Sequence, residues 1–272
     1  DTKTMKKKKT ILTIALSFCA LGFSQAQDVE KTFIRENMEF AARQYELMLK
    51  TPAQGKEGKG VMPHSLRKDG TVSKGSIYLW TAGFFPGSLW YISEYLDNKP
   101  LQDSALVYTK KMEPMKTFTD NHDIGFMMNC SYGNALRLAP NDSIISVLSE
   151  TADNLCSRFN VQIGCIRSWD FGTWNYPVII DNMMNLDLLF HVSKLTDDMR
   201  YRQVAIQHAR TTMKHHFRPD YTSYHVVSYN ADGTVEKRQT HQGKNDESAW
   251  ARGQGWAVYG SPACFRDTGD TL

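Results

Sequence analysis

Two carboxylates stand in unlike but equally unusual company. Asp123 lies in His-Asp-Ile-Gly-Phe (122–126), and Asp181 lies in Val-Ile-Ile-Asp-Asn-Met-Met-Asn (178–185). Each is set beside apolar residues that ordinarily exclude charge. A carboxylate in such surroundings loses hydration and its pKa rises, so near neutral pH it can hold a proton to donate. Two such acids in one pocket, driven to different pKa values, form an acid/base pair. Each also precedes a plausible helix, which makes helix capping the competing role for both.

The tryptophans point to the kind of molecule such a pair could act on. Trp80 opens Trp-Thr-Ala-Gly-Phe-Phe-Pro-Gly, Trp169 and Trp174 share a second polar stretch, and Trp250 and Trp256 bracket Ala-Arg-Gly-Gln-Gly. These five are read as loop residues, whereas Trp90 reads as core. Indole faces suit sugar rings, because the ring's C–H groups pack on the flat surface while its rim stays polar. Arg252 is the candidate partner for an anionic substrate group, since a guanidinium grips a carboxylate through two hydrogen bonds. Its competing role is a structural ion pair with Asp246 or Glu247. His225, His241 and Gln242 could donate hydrogen bonds to a substrate. No Gly-x-Ser-x-Gly elbow, phosphate loop, dinucleotide fingerprint or His-Glu-x-x-His is present, which leaves acid/base chemistry on a sugar.

The elements that must position these groups read as mostly helical. Phe33, Ile34, Met38, Ala41, Tyr45, Met48 and Leu49 recur at three- and four-residue steps, and Gly55 to Gly60 break that helix. Others are expected from about Asp142, over roughly Asp197 to Phe217, between Leu101 and Pro114, and after Trp80, Asp123, Asp181 and Trp250. Tyr224–Tyr229 and Thr234–Gln239 are β-prone and joined by Asn230-Ala-Asp-Gly233, a hairpin signal. Antiparallel helical pairs with one small β-hairpin follow from this pattern.

Bulk properties narrow the class. The chain has 272 residues, 41% of them hydrophobic, enough for one sizeable core. Its net charge of +3 is local: residues 1–26 hold five lysines and one acid, leaving 27 Lys+Arg against 28 Asp+Glu. A residual charge of −1 gives no electrostatic case for nucleic acid. Met5, Lys6 to Lys9, the apolar Ile11 to Phe23 and Ser24-Gln25-Ala26 read as an export signal with a cleavage site. That apolar stretch is short for a membrane span, and a lipoprotein through Cys19 is the weaker alternative. Periplasmic or secreted localisation is expected, with residues 27–272 forming one catalytic domain. Cys130, Cys156, Cys165 and Cys264 match no zinc spacing and read as mostly buried free thiols. No metal or cofactor is expected.

Several of these stretches together resemble the unsaturated glucuronyl hydrolases of glycoside hydrolase family 88. They are His122-Asp-Ile-Gly-Phe126, Cys130-Ser-Tyr-Gly133, Pro177-Val-Ile-Ile-Asp-Asn-Met-Met-Asn185, His216-Phe-Arg-Pro-Asp220, Tyr224-His-Val-Val227 and Trp250-Ala-Arg-Gly-Gln254. The resemblance implies an all-α (α/α)6 barrel of helical hairpins. It also implies release of a Δ4,5-unsaturated uronic acid from lyase-generated, glycosaminoglycan-type oligosaccharides. It makes Asp181 the general acid/base and Asp123 its partner, with the charge of Asp123 raising the pKa of Asp181. His122, His225, His241, Gln242, Trp250, Arg252, Trp256 and Trp80 become substrate-contacting residues. Family members run on past the point where this sequence stops, so the last hairpins are expected to be missing. Unsaturated rhamnogalacturonyl hydrolase activity and an inactive carbohydrate-binding fragment are the alternatives.

Overall fold

The computed structural model describes residues 30–51 and 60–270. The export signal read from the sequence lies outside them. The amphipathic stripe of Met38, Ala41, Tyr45 and Met48 forms helix α1 (30–50) and packs on the core. A hairpin of β1 (Met62–Leu66) and β2 (Val72–Gly75), not expected from the sequence, follows it. Helices α2 (Phe84–Leu96) and α3 (Lys99–Lys111) then form a tight pair. Only Asp97 and Asn98 connect them, and so short a link turns the chain back on itself. Asp97 adopts the left-handed conformation (φ 52°) that closes α2, and the Asn98 side chain accepts from the Leu101 N–H to open α3.

A 3-10 turn (Glu113–Thr117) leads to α4 (Ile124–Met128), a π-turn (Asn129–Gly133) and α5 (Asn134–Leu138). Helix α6 (Asp142–Ser157) starts where the sequence placed it. Asn141 caps it, and Ile144, Val147, Leu148, Ala152 and Leu155 face inward. Short strands β3 (Phe159–Asn160) and β4 (Cys165–Ile166) pair with each other. The segment from Pro177 enters as β5 (Pro177–Ile179), passes through a 3-10 turn (Ile180–Asn185) and becomes α7 (Leu186–Thr196). Helix α8 (Met199–His215) returns after a two-residue link, left-handed Asp197 and capping Asp198, built like the α2–α3 link.

The predicted hairpin forms as β6 (Val226–Tyr229) and β7 (Val235–Gln239). It gains a third strand, because β5 pairs antiparallel with β6, with Val178 opposite Val227. Helix α9 (Ala251–Thr268) closes the described chain. The fold is therefore mainly helical, of the α/α barrel type, with small sheets on its rim. Its core runs through Leu89, Trp90, Met112, Ile124, Met127, Leu148 and Phe190, all buried. Each such aliphatic or aromatic side chain contributes roughly 1.5–3 kcal/mol by leaving water. Trp90 is core, as its sequence context implied, and its indole N–H donates to Thr109 Oγ1 at 3.0 Å.

All four described cysteines are free; Cys165 is buried and Cys130, Cys156 and Cys264 are only partly so. No helix among the described residues is long and apolar enough to cross a membrane.

Candidate active site

The floor of the site is where α4 meets the 3-10 turn at Ile180–Asn185. Gly125 permits the approach: a Cβ there would lie 2.5 Å from the Asn185 Cβ. Asn185 then fastens the two segments. Its Oδ1 accepts from the Phe126 N–H at 2.9 Å, which turns its Nδ2 towards His122 Nδ1, 3.3 Å away. An amide nitrogen only donates, so His122 Nδ1 is an acceptor and its proton sits on Nε2. That Nε2 lies 3.3 Å from Asp123 Oδ1. Ser168 completes the frame: its Oγ accepts from the Ile179 N–H at 2.9 Å and lies 3.4 Å from His122 Nδ1. Asn182 ties the turn to β4 by donating to the Ile166 carbonyl at 2.8 Å.

Asp123 and Asp181 are close enough in this frame for the charge of one to act on the other, and neither caps a helix through its side chain. Capping is thereby set aside. Burial pushes Asp123 up to about 7, the charge of Asp181 adds to the rise, and Arg158 opposes it. Burial likewise pushes Asp181 up to about 6, against its own backbone N–H, Arg252 and the Trp256 indole N–H. The repulsion between the two carboxylates is mutual, and Arg252 with the Trp256 indole N–H eases the charge on Asp181. Both side chains retain a little exposure, 19% and 15%, so a ligand can reach them.

Helix α9 brings the remaining groups. Gly253, Ala257 and Gly260 form its buried face, and a Cβ at Gly260 would sit 2.5 Å from the Met183 Cβ. That close approach presses the middle of α9 against the turn that carries Asp181, and Gly253, whose Cβ would lie 2.9 Å from Ile180 Cγ2, does the same for its first turn. Trp256 therefore belongs to a helix and not to a loop. Arg252 lies between two indoles, 4.3 Å from the Trp250 ring centre and 5.1 Å from that of Trp80, and donates to Gln242 Oε1 at 2.7 Å. It makes no ion pair with Asp246 or Glu247; Asp246 accepts from the Thr240 N–H instead. Trp80 and Trp256 meet edge to face at 6.3 Å.

His225 is fixed in one tautomer. Its Nδ1 accepts from the backbone N–H groups of His241 (3.1 Å) and Gln242 (3.3 Å), so Nε2 carries the hydrogen and points to Asp181 Oδ2 at 3.9 Å. Burial lowers its pKa to about 3 and keeps it neutral. The His241 ring packs against Trp169 at 5.1 Å and Trp174 at 5.9 Å. Two of the expected substrate contacts are buried. His225 keeps only 2% exposure, and His122 keeps none behind Asp123, where it supports that carboxyl. Asn182, Asn185 and Ser168 were not singled out from the sequence. The only hint was polar residues three apart in an otherwise apolar run.

Among the described residues, three buried polar atoms at this floor lack a hydrogen-bond partner: Asp181 Oδ2, His122 Nε2 and His225 Nε2. Of these, Asp181 Oδ2 belongs to a side chain that keeps some exposure, so a ligand's polar group can meet that carboxyl. No group of three His, Cys, Asp or Glu there could hold a metal ion. Two buried carboxyls with raised pKa, neutral imidazoles and an indole-clamped guanidinium are suited to acid/base chemistry on an anionic ligand.

Comparison with known proteins makes the assignment specific. Residues 55–268 match the model of Glycosyl Hydrolase Family 88, and the chain belongs to that family. It is 46% identical over 193 residues to the unsaturated glucuronyl hydrolase of Formosa agariphila, covering 70% of this chain and 48% of the relative. It is 33% identical over 198 residues to the unsaturated chondroitin disaccharide hydrolase of Streptococcus agalactiae, covering 70% and 50%. A crystal structure of an unsaturated glucuronyl hydrolase specific for heparin superposes with a TM-score of 0.81 at 44% identity, over 86% of this chain and 62% of that one. The chain spans about half the length of the curated relatives it matches.

Proposed function

We propose that this chain carries the catalytic floor of an unsaturated glucuronyl hydrolase acting on glycosaminoglycan-type oligosaccharides. The observation that carries the reading is the buried pair Asp123 and Asp181, both held well above the ordinary carboxylate range beside Arg252. The substrate end is a Δ4,5-unsaturated uronic acid, whose C4=C5–O unit is an enol ether. Its carboxylate pairs with Arg252. That pairing neutralises the cation that keeps Asp181 ionised, so binding itself favours the protonated, donating form of Asp181. Asp181 delivers its proton to C4, and positive charge develops on C5 and the ring oxygen. Water adds at C5 and returns its proton to Asp181. The resulting hemiketal opens and the aglycone leaves with a free hydroxyl, so the net change is consumption of one water. Asp123, next to the charge that forms, supports it electrostatically.

Trp80, Trp250 and Trp256 supply the apolar walls, and His225 with Gln242 the polar rim. The relatives are an unsaturated glucuronyl hydrolase and an unsaturated chondroitin disaccharide hydrolase, which favours glycosaminoglycan over pectin fragments. The chain is also proposed to be exported, on the strength of Lys6 to Lys9 followed by the apolar Ile11 to Phe23. The test compares loss of the unsaturated-uronate chromophore from lyase-generated chondroitin, heparin and pectin disaccharides. Turnover of pectin fragments alone would overturn the substrate assignment, and normal turnover by Asp181→Asn would overturn the mechanism.

A further inference from the structure

Arg158 does work that the proposed reaction leaves unassigned. It stands at the C-terminal end of α6 with its side chain only 8% exposed. Its Nε donates to the Arg167 carbonyl at 2.9 Å, and Nη1 donates both to the Thr119 carbonyl and to Asp170 Oδ2, the latter at 2.8 Å. Thr119 belongs to the segment that runs into His122 and Asp123. Arg167 and Asp170 flank Ser168 and Trp169, the residues that brace His122 and line the aromatic wall. Asp170 is held a second time, by Arg167 Nε at 3.1 Å, and Arg167 Nε also donates to the Trp169 carbonyl at 2.8 Å. The Tyr176 hydroxyl fixes the Arg158 carbonyl at 2.8 Å. One buried guanidinium thus joins the approach to one catalytic acid with the loop that supports it.

We propose that Arg158 is a positioning residue for the acid pair, locking the Thr119–Asp123 approach to the Arg167–Asp170 loop while setting a fixed positive charge behind Asp123. The charge favours ionised Asp123, in line with its opposing effect there and on His122. The charged and titratable groups facing Asp123 are His122, Asp181 and Arg158. Those facing Arg158 are Asp170, Arg167, Tyr176, His122 and Asp123. Asp170 is the counter-ion, and half of its side chain is exposed.

This arrangement makes two substitutions act in opposite directions. Arg158→Gln removes the cation, so the Asp123 carboxyl binds its proton more tightly. Asp170→Asn removes the counter-ion and leaves Arg158 and Arg167 uncompensated, so the same carboxyl binds its proton less tightly. Each shift is expected to be about one pH unit, typical of a nearby charge in a medium of intermediate dielectric. Carbon-detected NMR titration of the aspartate carboxyls in the full chain reads the shift directly, with the Asp123 signal assigned by Asp123→Asn. Hydrogen exchange of the Ile179 amide, which donates to Ser168, reports the lock and should quicken in both variants.

The reading requires no substrate, so its failure is separable from failure of the proposed activity. Opposite shifts with faster Ile179 exchange support it. An unmoved Asp123 titration in folded variants, or shifts of the same sign, overturns it. If Arg158→Gln does not fold, the exposed Asp170→Asn decides alone: a downward shift supports the proposal and no shift sinks it.

Discussion

Asp198 and Asp123 each stand one residue ahead of a helix, α8 and α4, yet they live in opposite electrical states. Asp198 Oδ1 accepts from the Arg200 N–H at 2.9 Å, and its Oδ2 pairs with the Arg200 guanidinium at 2.6 Å. Those bonds hold it below the usual carboxylate range. Asp123 makes no capping bond, is enclosed by the floor, and is pushed up to about 7. One corner satisfies its acid and is finished; the other withholds satisfaction and so keeps a proton in play. Place in the chain does not separate them. What separates them is the number of donors each oxygen meets.

Substitutions at the two places should diverge accordingly. The largest effect is expected for Asp181→Asn, which removes the proton carrier and should cut turnover about 10³-fold or more. Its unfolding midpoint should rise at pH 8, because the Asp181 carboxyl is also held up near 6, and should rejoin that of the parent by about pH 4. Next comes Arg252→Lys, which loses the two-pronged grip and the stacking between Trp80 and Trp250. The KM for an unsaturated uronate should rise about tenfold or more, with a smaller change in kcat.

Asp123→Asn tests the cost of withheld satisfaction. Its folded pKa lies above the ordinary 3.8, so the ionised acid opposes folding at high pH. That penalty shrinks as pH falls through about 7 and is gone below 3.8. The variant should therefore melt higher than the parent at pH 8, and the gain should vanish by about pH 4. Asp198→Ala should do the reverse and least: activity unchanged, and an unfolding midpoint lowered by a few degrees near neutral pH. That loss should fade in acid, because a depressed pKa contributes stability only while the group is ionised. A large activity loss in Asp198→Ala would erase the contrast between the corners.

The two places also differed in how far the sequence revealed them. Helices α3, α6 and α8 and the β6–β7 hairpin were readable because turn residues and apolar periodicity are local signals. The acid pair was readable for the same reason: Asp123 and Asp181 each sit among apolar neighbours in the chain itself. What surrounds them was not. Asn185, Ser168 and Arg158 act on His122 and Asp123 from 35 or more positions away, a relation no local pattern encodes. The strand at Pro177–Ile179 was hidden because its partner, Val226–Tyr229, lies about fifty residues downstream. Trp256 was misplaced by the glycines around it, which suggest a loop but let α9 press against Met183.

The buried imidazoles behind the floor carry one more consequence. His208 Nδ1 accepts from the Ile166 N–H and His216 Nε2 lies 3.1 Å from the Val178 carbonyl, beside His122 and His225 in the same layer of segments. His122, His208, His216 and His225 are pushed down by burial to values of about 3 or 4. Across the whole span in which cells live, they stay uncharged. The acids are thus backed by buried, neutral imidazoles, which need not change charge when a hydrogen nucleus moves from oxygen to carbon. Little of the barrier need go into turning the surroundings, since they already point the way the reaction requires.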